Sequence, residues 1–335
     1  MSAPHSISVV IPVYRGEAHL AALIAELAPL TKPQSTRDGH LFQVSEVVLV
    51  HDCGPDRSDN VIRELAARHE WVKPVWLSRN FGQHPATIAG LASTSGDWIV
   101  TLDEDGQHDP ADIAGMLDVA MAQQTSLVYA APVNAAPHSA FRNITSKASK
   151  RIINTLSGGA DASVFHSYRL ILGEIGRSVA AYVGQGVYLD VALSWMGSAP
   201  AQAPVTLRDE GERQSGYSTR TLLSHFWRMV LTSGTRGLRL VSILGVTFAL
   251  FGVVLALVFI GERIAGENLP QGWTSLIVVT LVCAGVVLFA LGVIAEYIGV
   301  AVNAALGKPL YLIASDRSAG PLGRQTTRSS DGSTQ

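Results

Sequence analysis

Two long stretches without a charged residue constrain this chain more than any other feature. They cover residues 240–261 and 269–295 of a 335-residue sequence. Each exceeds the roughly 20 apolar residues that a helix needs to cross the hydrocarbon core of a bilayer. The alternative is a buried helical hairpin in a soluble core. We predict two transmembrane helices, at about 240–261 and 271–298, joined by a short connector.

Basic residues flank the two stretches on their outer sides. Arginines occupy positions 220, 228, 236 and 239, and Lys308 and Arg317 follow the second stretch. The connector, 262–272, carries one arginine and two glutamates. By the positive-inside rule, both termini face the cytoplasm. We therefore predict an integral membrane protein with its large amino-terminal domain on the cytoplasmic side.

The first 207 residues alternate strand and helix signals. Strands are predicted at 7–13, 44–50, 72–78, 98–102 and 127–131, with helices at 17–30, 57–69 and 85–92 and after Pro110. This rhythm predicts an α/β fold with a mostly parallel, Rossmann-like sheet covered by helices. Residues 208–237, rich in arginine, are predicted as juxtamembrane amphipathic helices. The transmembrane helices then occupy 238–306, and 307–335 form a partly disordered cytoplasmic tail.

Charge and cysteine content exclude some partners. The formal net charge of −2 gives no support for nucleic-acid binding. The two cysteines, Cys53 and Cys283, fall in a loop and in an apolar helix. A disulfide between them is implausible, which fits a reducing compartment.

Polar residues follow four of the predicted strands. Tyr14 comes after the first strand, Asp52 after the second, Arg79 after the third, and Asp103 and Asp105 after the fourth. Open α/β sheets bind ligands in the crevice outside the carboxyl ends of their strands. The sequence thus places these groups at one crevice, where Asp52 can accept hydrogen bonds from a base or a ribose.

The acidic turn at 103–110 is typical of a metal site. Asp103, Asp105 and Gln107 offer hard oxygen ligands, which suit Mg2+ or Mn2+ completed by substrate phosphates. Such an ion would stabilise the departing diphosphate of a sugar nucleotide, which makes Asp103 and Asp105 the candidate catalytic residues. Asp109 is expected to cap the next helix. His108 could reach the metal, but the sequence favours a solvent-facing side chain.

No general base is evident, and this indicates which kind of group accepts the sugar. A hydroxyl acceptor needs a base, whereas a phosphate monoester is already nucleophilic at neutral pH. Cations would then recognise the acceptor phosphate, and the candidates are Arg142, Lys147, Arg151, Arg169, Arg208 and Arg213. If the acceptor is a hydroxyl instead, Asp190 is the candidate base, although a structural role for it is favoured.

With these residues in view, the chain resembles family 2 glycosyltransferases of the GT-A fold. More closely, it resembles the polyprenyl-phosphate sugar transferases, which include dolichyl-phosphate mannosyltransferase and the bacterial undecaprenyl-phosphate aminoarabinose and glucose transferases. The resemblance covers roughly residues 6–313. Its matching stretches are 8–14, 77–84 and 103–110, together with 215–218, 272–276 and 296–299 near the membrane.

The resemblance implies roles for particular residues. Asp103, Asp105 and Gln107 would hold Mg2+ or Mn2+ and the donor diphosphate, and Pro12, Tyr14 and Asp52 would hold the nucleotide. The chain departs from the family where His51 replaces an acid and where Cys53-Gly54 replaces Gly-Ser. The acceptor phosphate could be bound by His166 or Arg169. A second family signature, which begins with arginine, can be placed on Arg208 or on Arg213, so both are candidates for the same role. The resemblance also implies the bacterial inner membrane.

These observations predict a membrane-bound inverting glycosyltransferase. It would move a sugar from a nucleotide-diphosphate sugar to polyprenyl phosphate, undecaprenyl or dolichyl, at the cytoplasmic face. The alternatives are a family 2 transferase with a hydroxyl acceptor and a non-catalytic membrane scaffold that binds sugar nucleotides. Small residues such as Gly285, Gly292 and Gly299 lie in the predicted transmembrane hairpin. They could support a homo-oligomer through this hairpin.

Overall fold

A computed structural model describes most of the amino-terminal domain and the second apolar stretch. The described residues are 3–134, 164–184, 187–195, 199–208, 272–307 and 309–316, with single positions or short pieces between 241 and 257 and at 318 and 320.

One sheet organises the described part of the chain. Its strands are β1 (His5–Val13), β2 (Gln34–Ser35), β3 (Leu41–His51), β4 (Val72–Leu77), β5 (Trp98–Thr101), β6 (Leu127–Pro132), β7 (Arg169–Leu172), β8 (Ala201–Val205) and β9 (Ile313–Ala314). The helices are α1 (Leu20–Leu27, continued by a 3-10 turn over Ala28–Thr31), α2 (Ser58–Arg68), α3 (Gln83–Ala92), α4 (Asp112–Gln123), α5 (Gly173–Tyr182), α6 (Leu189–Ser194) and α7 (Trp273–Ala305).

The strand order confirms the predicted mostly parallel α/β fold of GT-A type. The order is β8-β6-β7-β5-β1-β3-β4-β9, and β2 pairs with β3. Neighbours run parallel from β4 through β3 and β1 to β5, and β6 runs parallel to β8. β7 and β9 are antiparallel to their neighbours. All five predicted strands are present, whereas β2, β7, β8 and β9 were not predicted.

Helices cover both faces of the sheet, which explains why its central strands are apolar throughout. Seven consecutive residues of β1, Ile7 to Val13, are buried. Continuous burial of this kind is expected where a parallel strand is covered on both sides. α1, α2 and α4 pack on one face, and α3, α5 and α6 pack on the other.

Close packing of α3 fixes one wall of the site. A Cβ added at Gly90 would lie 2.3 Å from Cγ1 of Val10 in β1 and 3.0 Å from Cγ2 of Val50 in β3. Only glycine therefore lets the helix lie this close to the sheet. The amino end of α3, which begins at Gln83, is held at the carboxyl edge of β1 as a result.

The second apolar stretch forms one long helix. α7 has 33 residues, and its segment Val282–Gly299 has a mean hydropathy of 2.1 with 6% of it buried. Within the described residues it is the one helix long and apolar enough to cross a membrane. The described positions between 241 and 257 are also helical. The pairing of the two stretches as a hairpin, and an oligomer formed through it, stay predictions.

After α7 the chain returns to the sheet. Ile313 and Ala314 of β9 pair with Leu77 and Trp76 of β4. Leu310 and Tyr311 pack against the cluster of buried side chains on the α3 face. The segment that follows the apolar helix is therefore part of the same folded unit as the amino-terminal domain.

Candidate functional site

A cavity of about 330 Å³ opens at the carboxyl ends of β1 and β5. It is lined by Pro12, Gln83, His84, Thr87, Thr101, Leu102, Asp103, Phe165, His166, Ser167, Arg169, Tyr188 and Asp190. These residues come from strand ends, from the start of α3 and from α6. The cavity lies at the crevice predicted from the strand ends, where open α/β sheets bind their ligands.

Asp103 is held in place on the cavity wall. It follows β5 by two residues, and its carboxylate accepts hydrogen bonds from Nε2 of Gln83 at 2.7 Å and from the hydroxyl of Ser167 at 2.6 Å. Burial raises the pKa of Asp103, and the hydrogen bond from Ser167 and the charge of Arg169 oppose that rise. Two donors from separate elements thus fix the orientation of this carboxylate.

The predicted metal ligands Asp105 and Gln107 lie in the turn after Asp103. Oδ1 of Asp105 accepts a hydrogen bond from the backbone N–H of Gln107 at 3.1 Å. The side-chain nitrogen of Gln107 is buried and has no hydrogen-bond partner among the described residues. A buried amide without a partner is a group that a ligand can satisfy, and rotation of the amide exchanges its nitrogen and oxygen.

The donor set fits a cation that shares its ligands with a substrate. The described residues contain no cluster of three or more His, Cys, Asp or Glu side chains that could hold a metal by itself. Two carboxylates and an amide suit a Mg2+-like ion that is completed by phosphate oxygens and water. Asp103, Asp105 and Gln107 therefore remain candidate ligands.

His108 is buried, so the expectation of a solvent-facing side chain is wrong. The residue is 3% exposed, and its ring stacks on Tyr168 with a centroid distance of 4.9 Å. Nδ1 accepts a hydrogen bond from the backbone N–H of Asp103 at 3.1 Å. Burial lowers the pKa of His108 to about 4. Tertiary packing, which no local pattern reveals, makes this neutral histidine a support for Asp103.

Arg169 and Asp190 form a buried ion pair in the cavity wall. The guanidinium of Arg169 donates to Asp190 and, through Nε, to Oγ1 of Thr101 at 3.1 Å. Asp190 also accepts a hydrogen bond from the hydroxyl of Tyr129 at 2.9 Å. The side chains of Arg169 and Asp190 are 4% and 13% exposed. These contacts favour a structural role for Asp190 over that of a base.

The other predicted acceptor-phosphate residues are dispersed. His166 lines the cavity, and burial lowers its pKa to about 4. Arg208 lies outside the lining and forms ion pairs with Glu26 and Asp109, at 2.8 and 2.9 Å. The positive charge of Arg208 is therefore already balanced by two carboxylates. Arg142, Lys147, Arg151 and Arg213 lie outside the described residues.

The predicted nucleotide-binding residues surround the same edge. Pro12 lines the cavity, and Tyr14 is 39% exposed just beyond the end of β1. Asp52 is 3% exposed and accepts hydrogen bonds from the backbone N–H groups of Phe81 and Gly82, at 2.7 and 2.8 Å. Arg79 is exposed, with its guanidinium over the ring of Phe81. Asp52 thus holds the loop before α3, and its contact with a nucleotide stays a prediction.

Comparison with known proteins agrees with this geometry. Residues 8–170 match the family described as Glycosyl transferase family 2. An undecaprenyl-phosphate 4-deoxy-4-formamido-L-arabinose transferase from Pseudomonas paraeruginosa is 30% identical over 92% of this chain and 89% of that protein. A transferase of the same name from Pectobacterium carotovorum is 28% identical, with 94% of each chain covered. The chain belongs to glycosyltransferase family 2.

This finding confirms the resemblance seen in the sequence and makes the protein a glycosyltransferase. Among solved structures, glucosyl-3-phosphoglycerate synthase from Mycobacterium tuberculosis, in complex with Mn2+, UDP and phosphoglyceric acid, is 19% identical. It covers 68% of this chain and 77% of its own chain with a TM-score of 0.49.

The loop after β3, where this transferase departs from its family, is closely packed. A Cβ at Gly54 would lie 1.6 Å from the carbonyl oxygen of Tyr14, so only glycine fits there. Cys53 adopts a φ of 49°, and its thiol lies 3.0 Å from the carbonyl oxygen of Leu77. Cys53 and Cys283 form no disulfide within the part of the chain that the structure describes. His51 is buried beside Trp76, and its Nε2 has no hydrogen-bond partner among the described residues.

Several residues of the site had no predicted role, among them Gln83, Ser167 and Tyr188. Gln83 and Ser167 hold Asp103, and Tyr188 lines the cavity beside His84 with a ring-centroid distance of 4.3 Å. Gln83 stands inside a stretch that resembles the family, which was the available signal. Ser167 and Tyr188 are brought to the cavity by tertiary structure alone.

Proposed function

We propose that this transferase moves a sugar from a nucleotide-diphosphate sugar to a polyprenyl phosphate, with inversion, at the cytoplasmic face of a membrane. The observation that carries the proposal is the fixed carboxylate of Asp103 at the cavity, next to the turn that bears Asp105 and Gln107. The names of the relatives, undecaprenyl-phosphate sugar transferases, support the lipid acceptor.

On the donor side, the residues hold a diphosphate and its leaving charge. When bound, Mg2+ or Mn2+ at Asp103, Asp105 and Gln107 supplies the positive charge that stabilises the departing nucleoside diphosphate. Gln83 and Ser167 keep Asp103 oriented before substrate arrives, which avoids the cost of ordering it during the reaction. Pro12, Tyr14, Asp52 and Arg79 surround the same edge and form the proposed nucleotide side.

On the acceptor side, the contacts favour a phosphate nucleophile. Both described carboxylates that line the cavity have partners, Asp103 with Gln83 and Ser167, and Asp190 with Arg169 and Tyr129. A phosphate monoester needs no base, because its second pKa is about 6. Its oxygen forms a bond to the anomeric carbon while the bond to the diphosphate oxygen breaks and the electron pair leaves with the diphosphate. In-line attack of this kind inverts the anomeric configuration.

The return of the chain to the sheet supports a two-span hairpin. The domain that precedes the apolar stretches and strand β9 that follows them belong to one sheet. If α7 spans the membrane, an odd number of crossings would place these two parts on opposite sides. A second crossing before α7, in the stretch 240–261, satisfies this constraint. The arginines beside that stretch support a cytoplasmic location for the domain.

A transfer assay tests the proposed function. Full-length protein in detergent would receive a short polyprenyl phosphate, Mn2+ and a panel of UDP-, GDP- and dTDP-sugars, with labelled lipid as the readout. We expect product from one donor, with the inverted anomer seen by NMR. Product should be lost with EDTA and in Asp105→Asn. The matched control is Asp38→Asn, because Asp38 is exposed in the turn between β2 and β3, at the opposite edge of the sheet.

Three outcomes would contradict the proposal. Retained stereochemistry would exclude in-line attack by the lipid phosphate. Transfer to a hydroxyl but not to polyprenyl phosphate would favour the hydroxyl-acceptor reaction. Binding of a sugar nucleotide without turnover on any acceptor would favour a non-catalytic scaffold.

A further inference from the structure

The segment that follows the apolar helix makes a set of contacts that the proposed function does not explain. We call residues 309–316 the return segment. It adds β9 to the edge of the sheet, antiparallel to β4. Just before β9, the carbonyl oxygen of Leu312 accepts a hydrogen bond from the backbone N–H of Ser78 at 2.9 Å. Ser78 is the first residue after β4, so the segment contacts the chain where that strand ends.

An ion pair fastens the far end of the return segment. Nε and Nη2 of Arg63, in α2, donate to the two carboxylate oxygens of Asp316 at 2.7 and 2.9 Å. This fork geometry is the strongest form of an arginine–carboxylate contact. Asp316 is mostly buried, with 12% of its side chain exposed, and it also accepts hydrogen bonds from Ser318. The guanidinium of Arg63 lies over the ring of Trp76, the β4 residue that pairs with Ala314.

The strand edge held in this way continues directly into the site. Residues 78–82 connect β4 to α3, and Asp52 holds the end of this loop through Phe81 and Gly82. The next residue is Gln83, which donates to Asp103. The return segment contacts the beginning of the loop, and Gln83, the residue that follows the loop, donates to Asp103. A displacement at Ser78 would therefore reach the carboxylate through six consecutive residues.

The return segment also follows the apolar helix closely. Six residues, 306–311, separate the end of α7 from Leu312. A chain of that length spans at most about 25 Å. The carboxyl end of the helix is thus tethered within that distance of Leu312, whose carbonyl oxygen is bonded to Ser78.

We propose that Asp316 and Arg63 are positioning residues that hold the return segment on β4 and so set the loop that presents Gln83 to Asp103. The pair links the membrane helix to the donor side of the site. This inference rests on the proposed function for its kinetic consequence, but the loop coupling itself does not depend on catalysis.

The test compares two carboxylates that share one arginine. Asp316→Asn removes the charge that fastens the return segment. Asp59→Asn is the matched control, because Asp59 pairs with Nη1 of the same Arg63 at 2.9 Å within α2 and does not touch the return segment. Full-length protein in detergent would be measured by hydrogen exchange, by binding of the donor found in the transfer assay (or UDP alone), and by steady-state kinetics.

In Asp316→Asn we expect faster exchange at the amides of Ser78, Phe81 and Gly82. The KM for the donor should rise roughly threefold to tenfold, since a partly exposed charge-assisted contact is lost. The KM for polyprenyl phosphate should stay unchanged. Asp59→Asn should match the wild type in all three readouts, and Asp316→Glu should recover most of the loss because it restores the charge.

Unchanged exchange at the loop amides in Asp316→Asn would overturn the inference, as would equal effects in Asp59→Asn. A fall in thermal stability with unaltered donor KM would also overturn it, because a merely structural pair behaves in that way. If no donor is turned over, the exchange comparison still decides the coupling, so failure of the proposed function is distinguishable from failure of this inference.

Discussion

Thr101 and Arg169 are register partners in the antiparallel strands β5 and β7, and Nε of Arg169 donates to Oγ1 of Thr101 at 3.1 Å. Because β7 runs opposite to β5, its first residue lies at the edge where β5 ends. Arg169 therefore lies at the carboxyl edge of the parallel strands, opposite Thr101, which precedes Asp103 by two residues. Its buried guanidinium requires a counter-charge there, and Asp190 supplies it.

Replacing Asp190 with Asn should destabilise the protein more than it slows transfer. The change leaves the buried Arg169 without its counter-charge, which typically costs about 3–5 kcal/mol. We expect a marked fall in Tm, with only a slight loss of kcat for the molecules that remain folded. Thermal unfolding in detergent and active-site-normalised rates would check this. Arg169→Met combined with Asp190→Leu should recover much of the Tm, and a loss of kcat beyond roughly a hundredfold at full stability would instead identify Asp190 as a base.

Replacing Gln83 with Leu should lower kcat/KM for the donor with little change in Tm. The variant removes the hydrogen bond to Oδ1 of Asp103 and leaves the hydrogen bond from Ser167. Hydrogen bonds to charged groups are worth about 1.5–3 kcal/mol, so the rate should fall roughly tenfold to a hundredfold. Steady-state kinetics is the measurement. Gln123→Leu, at the exposed end of α4, is the control, and an equal effect there would contradict the role of Gln83.

Removing the amide of Gln107 should weaken the binding of the metal. In Gln107→Ala we expect the Mn2+ concentration for half-maximal transfer to rise at least roughly tenfold, because even outer partners of a metal have effects of that size. Excess Mn2+ should restore most of the rate. Titration of Mn2+ after EDTA treatment checks this, together with Mn2+ binding in the presence of nucleotide. An unchanged titration would exclude Gln107 as a ligand.

The stability of the protein should fall below pH 6.5 in part through His51. Burial lowers the pKa of His51 from its usual 6.5, so the unfolded chain binds a proton here more readily than the folded protein does. The stability that the protein gains from a neutral His51 is therefore complete above pH 6.5. It is lost as the pH falls, by at most about 1.4 kcal/mol per pH unit. His51→Phe keeps a ring beside Trp76 without the titration. Its Tm should depend less on pH between 7 and 5 than that of the wild type, and parallel curves would refute the assignment.

Local pattern was sufficient for the framework of this protein. Apolar runs of strand length ending at polar residues located β1, β3, β4, β5 and β6 within a few residues, because burial on both faces leaves a continuous apolar signal. The same strand ends placed Asp103 at the cavity, since parallel strands share a carboxyl edge. Pro12, which also lines the cavity, was predicted from the resemblance to the family. The roles of Asp105 and Gln107 as metal ligands, predicted from the acidic turn, stay predictions.

Three of the four missed strands, β7, β8 and β9, depend on pairing between distant parts of the chain. β7 and β9 are four and two residues long, too short for a periodic signal, and each is antiparallel to a partner far away in sequence. The burial of His108 against Tyr168 likewise joins segments that the sequence keeps apart. The exposure of His108 was predicted wrongly because the residues of a polar turn do not show which distant residues pack against it.

The sequence by itself determined five of the nine described strands, where their polar ends lie and which helix is apolar enough for a membrane, since these depend on residues close together in the chain. Tertiary structure decided that Gln83 and Ser167 hold Asp103, that Asp190 neutralises Arg169, and that the chain returns from the apolar helix to the edge of the sheet. Each of these contacts joins side chains or strands that come together only when the sheet is assembled.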